Sequence, residues 1–118
     1  MYFFKGKLGL AGLALALGLG LSMAGCAMVM GDIHYNRGRS ALNNSNYEGA
    51  VAAFTSSLNS APNSPGFEAV RSNTLNRRGE AHAAMGNYGS AIADFNAALS
   101  LNPNNNAARD NLARIRGH

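Results

Sequence analysis

Residues 75–95 read LNRRGEAHAAMGNYGSAIADF, and sliding the chain over itself by 41 positions lays residues 34–54, HYNRGRSALNNSNYEGAVAAF, on the same frame. The shift pairs Arg37 with Arg78, Gly38 with Gly79, Asn46 with Asn87, Tyr47 with Tyr88, Ala50 with Ala91, Ala52 with Ala93 and Phe54 with Phe95. It runs on through Leu58 and Leu99, Pro62 and Pro103, and Asn63 and Asn104. Self-similarity at a fixed period means one structural unit used twice. Within each copy the apolar residues recur at helical spacing, and the punctuation splits the copy in two. The first copy predicts a helix from about Asp32 to Asn44 and, after an N-cap at Asn46, a second that stops before Pro62. The second copy predicts helices from about Pro65 to Met85 and Gly89 to Leu101, with Gly86 closing one and Asn87 capping the next. Each copy is therefore expected to be a helical hairpin. Small residues, Gly38 and Gly79 on the first helices and Ala50, Ala91 and Ser57 or Ala98 on the second, let the two backbones approach. Phe54 and Phe95 then fill the space beside them. Residues 106–116 carry Ala107, Ala108, Leu112 and Ile115, which suits a short amphipathic helix over the open end.

These residues resemble the tetratricopeptide repeat (TPR), a 34-residue helical hairpin whose Gly, Tyr, Ala, Phe, Ala, Pro pattern falls here on Gly38, Ala50, Phe54 and Pro62, and on Gly79, Ala91, Phe95, Ala98 and Pro103. The resemblance implies an all-α fold of antiparallel hairpins stacked as a short solenoid. The expected organisation is repeat 1 over 32–64, repeat 2 over 65–105 and a capping helix over 106–118. The 41-residue offset exceeds 34 by seven, and the surplus lies between Pro62 and Asn73, so the first helix of repeat 2 is expected to be two turns longer than usual. Ala41 and His82 stand where an aromatic is usual, and His34 replaces a large apolar residue. The resemblance also implies a groove for an extended peptide or partner helix, lined by Tyr35, Arg39, Leu42 and Asn43 from the first copy and Asn73, Asn76, Glu80 and Ala83 from the second. Tyr35 and Arg39 occupy places where some relatives hold a C-terminal carboxylate with Lys and Asn, so a different ligand is expected.

Upstream of the repeats, Lys5 and Lys7, the apolar run Leu8 to Leu21 and the small residues before position 26 follow the export pattern. The run is short and rich in Gly for a membrane span. Met23-Ala24-Gly25-Cys26 resembles a bacterial lipobox, which implies a signal peptide over 1–25, cleavage, and acylation of Cys26, including a palmitate-type chain. The alternatives are a plain secretory signal cut after Ala24-Gly25, or an uncleaved anchor. Acyl chains contribute about 0.8 kcal/mol per buried methylene, so a multiply acylated terminus holds a protein on a membrane essentially for good. Ala27 rather than Asp after the cysteine implies the outer membrane, facing the periplasm. Only residues 26–31 would separate the lipid from the first helix.

Composition excludes several functions. Removal of 25 residues from 118 leaves 93, enough for one small core. The single cysteine permits no intramolecular disulfide. After residue 25 eight scattered Arg face six acids, about +2 by that count, which is too weak for nucleic acid. His34, His82 and His118 show no ligand spacing, the acids Asp32, Glu48, Glu68, Glu80, Asp94 and Asp110 are isolated from one another, and no catalytic motif occurs. No metal, cofactor or enzymatic activity is expected. The expected function is a membrane-tethered scaffold or adaptor that binds a protein or peptide in the bacterial cell envelope. The alternative is an accessory subunit of a cell-wall enzyme, or a structural lipoprotein without a defined ligand. Two repeats are few for a solenoid, so either self-association as a homo-oligomer or docking on a larger partner is expected.

Overall fold

The computed structural model describes residues 29–61 and 63–117. The expected leader, Cys26, residues 26–28 of the linker, the repeat position Pro62 and His118 lie outside them. The described residues form five helices and no strand: α1 over 29–43, α2 Tyr47–Ser60, α3 Glu68–Ala84, α4 Tyr88–Leu101 and α5 Asn106–Arg116. α1 with α2 and α3 with α4 are antiparallel hairpins, and α3 packs against α2, α4 and α5.

The two hairpin turns close in the same way. Leaving α1, the Ser45 N–H donates to the Leu42 carbonyl (3.1 Å) and the Asn46 N–H reaches back to that of Ala41 (2.8 Å). Leaving α3, Gly86 donates to Ala83 (3.0 Å) and Asn87 to His82 (2.8 Å). This double closure satisfies the last carbonyls of each helix and requires a left-handed residue between them. Ser45 takes that conformation at φ 59° and Gly86 at φ 80°. Asn46 then caps α2, its side chain accepting from the Gly49 N–H at 3.1 Å. Asn87 stands at the N-cap of α4, but its side chain makes no capping bond, so the expected cap there is positional only.

The start of α3 differs from expectation. Pro65 does not open the helix: Ser64-Pro65-Gly66-Phe67 is a turn, with Phe67 N–H donating to the Ser64 carbonyl and Gly66 at φ 100°. Pro followed by a left-handed Gly makes a type II turn, which places both before the helix. α3 runs from Glu68 for 17 residues, so three of the seven surplus residues, 65–67, go into the turn. About four lengthen the helix, one turn rather than the two expected, at 3.6 residues per turn. α5 occupies the expected range, with Asn105 capping it through the Ala108 N–H (3.1 Å). Its buried side chains are Ala108, Asn111, Leu112 and Ile115, with Ala107 exposed.

The core is the repeat frame made physical. Phe54 packs with Ala50 and Ala81 and is flanked by Tyr35, Ala41 and Leu42. Phe95 packs with Ala91, Leu112 and Ile115. Leu75, Ala98 and Ala108 join α3, α4 and α5 beneath them. A methyl group added at Gly38 would lie 2.6 Å from the Phe54 ring, and one at Gly79 2.6 Å from the Phe95 ring. Only a glycine lets each phenylalanine cross the facing helix at that distance.

Candidate functional site: the groove along α1, α3 and the α4–α5 loop

α1 and α3 lie side by side, and between them, with the α4–α5 loop as a floor, runs a groove of about 520 Å³. Asp32 and Tyr35 of α1 form one wall, Val70 and Asn73 of α3 the other, with Phe67 just before it. Asn102, Asn104, Asn105 and Asn106 close the end. Tyr35 joins core and groove: its ring meets that of Phe54 at 5.7 Å and 57°, and its hydroxyl accepts from the Asn73 amide at 2.9 Å. A second recess of about 350 Å³ lies farther along α3, between Glu80, Ala83, Ala84 and Tyr88 and the Asn111, Arg114 and Ile115 side chains of α5.

Of the expected groove residues, Tyr35 and Asn73 come together on the main groove, and Glu80 and Ala83 line the second recess. Arg39 and Asn43 are exposed on α1 outside both. Leu42 is half-buried against Phe54, because its position one turn beyond Gly38 faces α2. Asn76 is a correction: it is 1 % exposed. Its side chain is spent inside the protein, donating to Glu80 (3.2 Å) and accepting from Asn111 (2.9 Å). Asn111 also bonds Glu80 (3.1 Å) and accepts from Arg114, so α3 and α5 are joined by a polar cluster rather than by apolar contact alone. A buried amide is tolerated only with its bonds made, as they are here.

Sequence reasoning missed Phe67, Val70 and the loop amides. The signal was present: Asn102-Pro103-Asn104-Asn105-Asn106 holds four carboxamides in five residues. Each carries two donors and an acceptor, the complement of a peptide backbone. Asn105 is partly committed, capping α5 and donating to the Ser72 hydroxyl at 2.9 Å, which in turn donates to the Ala98 carbonyl at 2.6 Å.

Behind the groove, arginines join the hairpins. Arg78 makes a two-pronged pair with Asp94 at 2.8 and 2.7 Å and also donates to Thr55 of α2 at 3.1 Å. The hydrogen bonds to Asp94 hold the guanidinium above its ordinary value, against the opposing effect of burial. Arg71 donates to the Leu58 and Ala61 carbonyls, at 2.9 and 3.3 Å, at the end of α2. That helix has no basic residue of its own in its last turn, and Arg71 supplies one from α3. Burial lowers Arg77, but bonding to Tyr35 and the Glu80 charge outweigh it and raise its pKa overall. Among the described residues no group of His, Cys, Asp and Glu could hold a metal ion. No described helix is long and apolar enough to cross a membrane.

Residues 72–105, which are α3 from Ser72, the Gly86 turn, α4 and the loop to Asn105, match the tetratricopeptide repeat family model. The Arabidopsis OM64 TPR domain is similar at 21% identity, over 78% of this chain and 98% of that one, with a TM-score of 0.38. No curated protein shows a match to the chain. The fold is an all-α stack of helical hairpins of the TPR kind, closed by a C-terminal helix. Repeats of this family generally mediate protein–protein contacts.

Proposed function

We propose that the chain is a membrane-tethered adaptor of the bacterial cell envelope, lipid-anchored through Cys26 on the periplasmic face of the outer membrane, whose groove holds an extended segment of a protein partner. The observation that carries the binding half is the make-up of the groove. An open channel of about 520 Å³ combines a row of carboxamides with the apolar surfaces of Tyr35, Phe67 and Val70. Amides recognise a backbone without regard to sequence, and apolar pockets select alternate side chains. Val70 is about half exposed in the free protein, which leaves apolar surface for a partner to cover. Among the described residues Asp32 is the one charged side chain in the lining, so an uncharged or weakly basic segment suits it better than an acidic one. The anchoring half rests on the lipobox-like Met23-Ala24-Gly25-Cys26 at the end of an apolar run.

Each half has its own test. A photo-crosslinker at position 70 should trap a discrete protein in living cells, while one at the exposed Asn96 of α4 should not. Asn73→Ala combined with Val70→Glu should weaken recovery about tenfold, equivalent to about 1.4 kcal/mol of affinity; unchanged recovery would remove the groove from the mechanism. Intact mass of the membrane-extracted chain should show loss of residues 1–25 and added acyl chains. A Cys26→Ser chain that still fractionates with membranes after cleavage would count against the anchor.

A further inference from the structure

The stacking of hairpin on hairpin shows what the matching face of α1 is prepared to meet. α3 grips the preceding hairpin with Arg71, Arg78 and Ala81, and Thr74 lies on the same face of the helix; Thr74 is 1 % and Ala81 0 % exposed. Counting back 41 positions, the same face of α1 presents Met30, Ile33, Arg37 and Ser40. All four are exposed, Met30 and Ile33 by 46 % and 42 %, and Val29 beside them by 56 %. The chemistry has changed as well as the exposure. Arg71 suits the carbonyls at the end of a preceding helix, whereas Met30 in its place suits hydrocarbon. The first two turns of this face are apolar, and Arg37 comes one turn later.

We propose that this face of α1 lies on the lipid bilayer itself, with Val29, Met30 and Ile33 among the upper acyl chains and Arg37 at the phosphates of anionic headgroups. The proposal rests on acylation of Cys26, three residues before Val29. Three residues span at most about 11 Å, and a helix with its side chains is about 10 Å across. A helical hairpin has no room between the anchored cysteine and the start of α1, and the nearest surface available to cover Val29 and Met30 is lipid. With α1 tilted so that its first turn dips deepest, the order of residues follows the depth of the interface. Val29, Met30 and Ile33 come nearest the anchor, and Arg37, about 12 Å beyond Val29 and about 6 Å beyond Ile33 along the helix, reaches the headgroups. The bilayer thus takes the place of a preceding repeat and covers the open end, as α5 covers the other.

The chain contains no tryptophan, so a single one can report its surroundings. Full-length chain carrying Ile33→Trp, made with its leader and checked for acyl chains by intact mass, would be placed in phosphatidylethanolamine–phosphatidylglycerol vesicles with brominated acyl chains. Its emission should lose most of its intensity relative to unbrominated vesicles, while an Asn96→Trp chain keeps its own. In the unsubstituted chain, peroxide oxidation of Met30 should slow on vesicle binding relative to Met85, which excludes an effect of the introduced ring. If the acylated Ile33→Trp chain keeps its full emission and Met30 oxidises at an unchanged rate, the proposal is overturned while the anchor stays in place. If native mass then shows a dimer, a second copy covers the face. A chain that carries no acyl groups overturns the anchor, and this inference with it.

Discussion

The two hairpins share one frame and differ at the positions that decide what each can touch. At the crossings they agree: Gly38 under Phe54 and Gly79 under Phe95, with the same 2.6 Å approach. Where the paired helices meet at their far ends, one hydrogen bond has been reversed. In the first hairpin the Ser57 hydroxyl of α2 donates to the Gly31 carbonyl of α1 (2.9 Å), and in the second the Ser72 hydroxyl of α3 donates to the Ala98 carbonyl of α4 (2.6 Å). Positions 31 and 72, and 57 and 98, are equivalent, so the contact survived while donor and acceptor changed sides. The acid did not survive the comparison. Asp94 holds Arg78, but its counterpart is Ala53, and Arg37 is left exposed. The second hairpin is covered on both sides and holds an internal ion pair; the first has an uncovered side, and its arginine faces outward.

This contrast can be broken experimentally, and the largest effect should come from the ring at each crossing. Phe95→Ala should cost about 3–5 kcal/mol, the range for truncating a buried aromatic. Phe95 shares its cluster with Leu112 and Ile115, so α3, α4 and α5 should lose protection together. Phe54→Ala should cost as much locally but expose α1 and α2 first, because stacked repeats contact only their neighbours. Hydrogen exchange of the two variants should show different maps, and identical ones would mean the hairpins are a single unit. Next in size is Asp94→Ala, expected to lose about 1–2 kcal/mol in denaturant titration, since it strips Arg78 of a two-pronged partner while Thr55 and solvent remain.

The turn comes third. Ser45 holds a left-handed backbone that Gly86 adopts without strain. Ser45→Gly should raise stability by about 0.5–1 kcal/mol, the left-handed cost less the extra entropy of a glycine in the unfolded chain. A loss would mean that the Ser45 side chain does something the turn geometry does not require. The smallest effect should be Ala53→Asp, which gives Arg37 the carboxylate that Arg78 enjoys. Ala53 is itself buried, so the new carboxylate sheds its water as Asp94 does while Arg37 stays exposed. Cost and gain should nearly cancel, and denaturant titration should show a change of no more than about 0.5 kcal/mol. A gain matching the loss in Asp94→Ala would show that the open face is more enclosed than its exposure indicates.

Legibility in the sequence followed the same division. The hairpins, their glycines and phenylalanines, and the α5 cap could be read because a helix repeats every 3.6 residues and a close crossing admits few side chains. The Pro65 boundary was misplaced because a proline can open a helix or a type II turn, and the Gly66 that follows decides between them. On the groove, Tyr35 and Asn73 were legible from their places in the repeat. Asn76 was not, since an amide can serve a ligand or a buried network, and only Glu80 and Asn111 arriving from their own turns chose the network. Phe67, Val70 and the loop amides reach the groove through the Pro-Gly turn and the approach of α5.

By itself, then, the sequence determined that there are two copies of one helical unit, where their backbones touch, and to within a few residues where each helix stops, because those are local demands on shape and spacing. Which polar side chains remain free for a partner, which are consumed between hairpins, and which apolar residues of α1 are left uncovered were decided only by the stack. A side chain's availability depends on what the rest of the chain brings within about 3 Å of it.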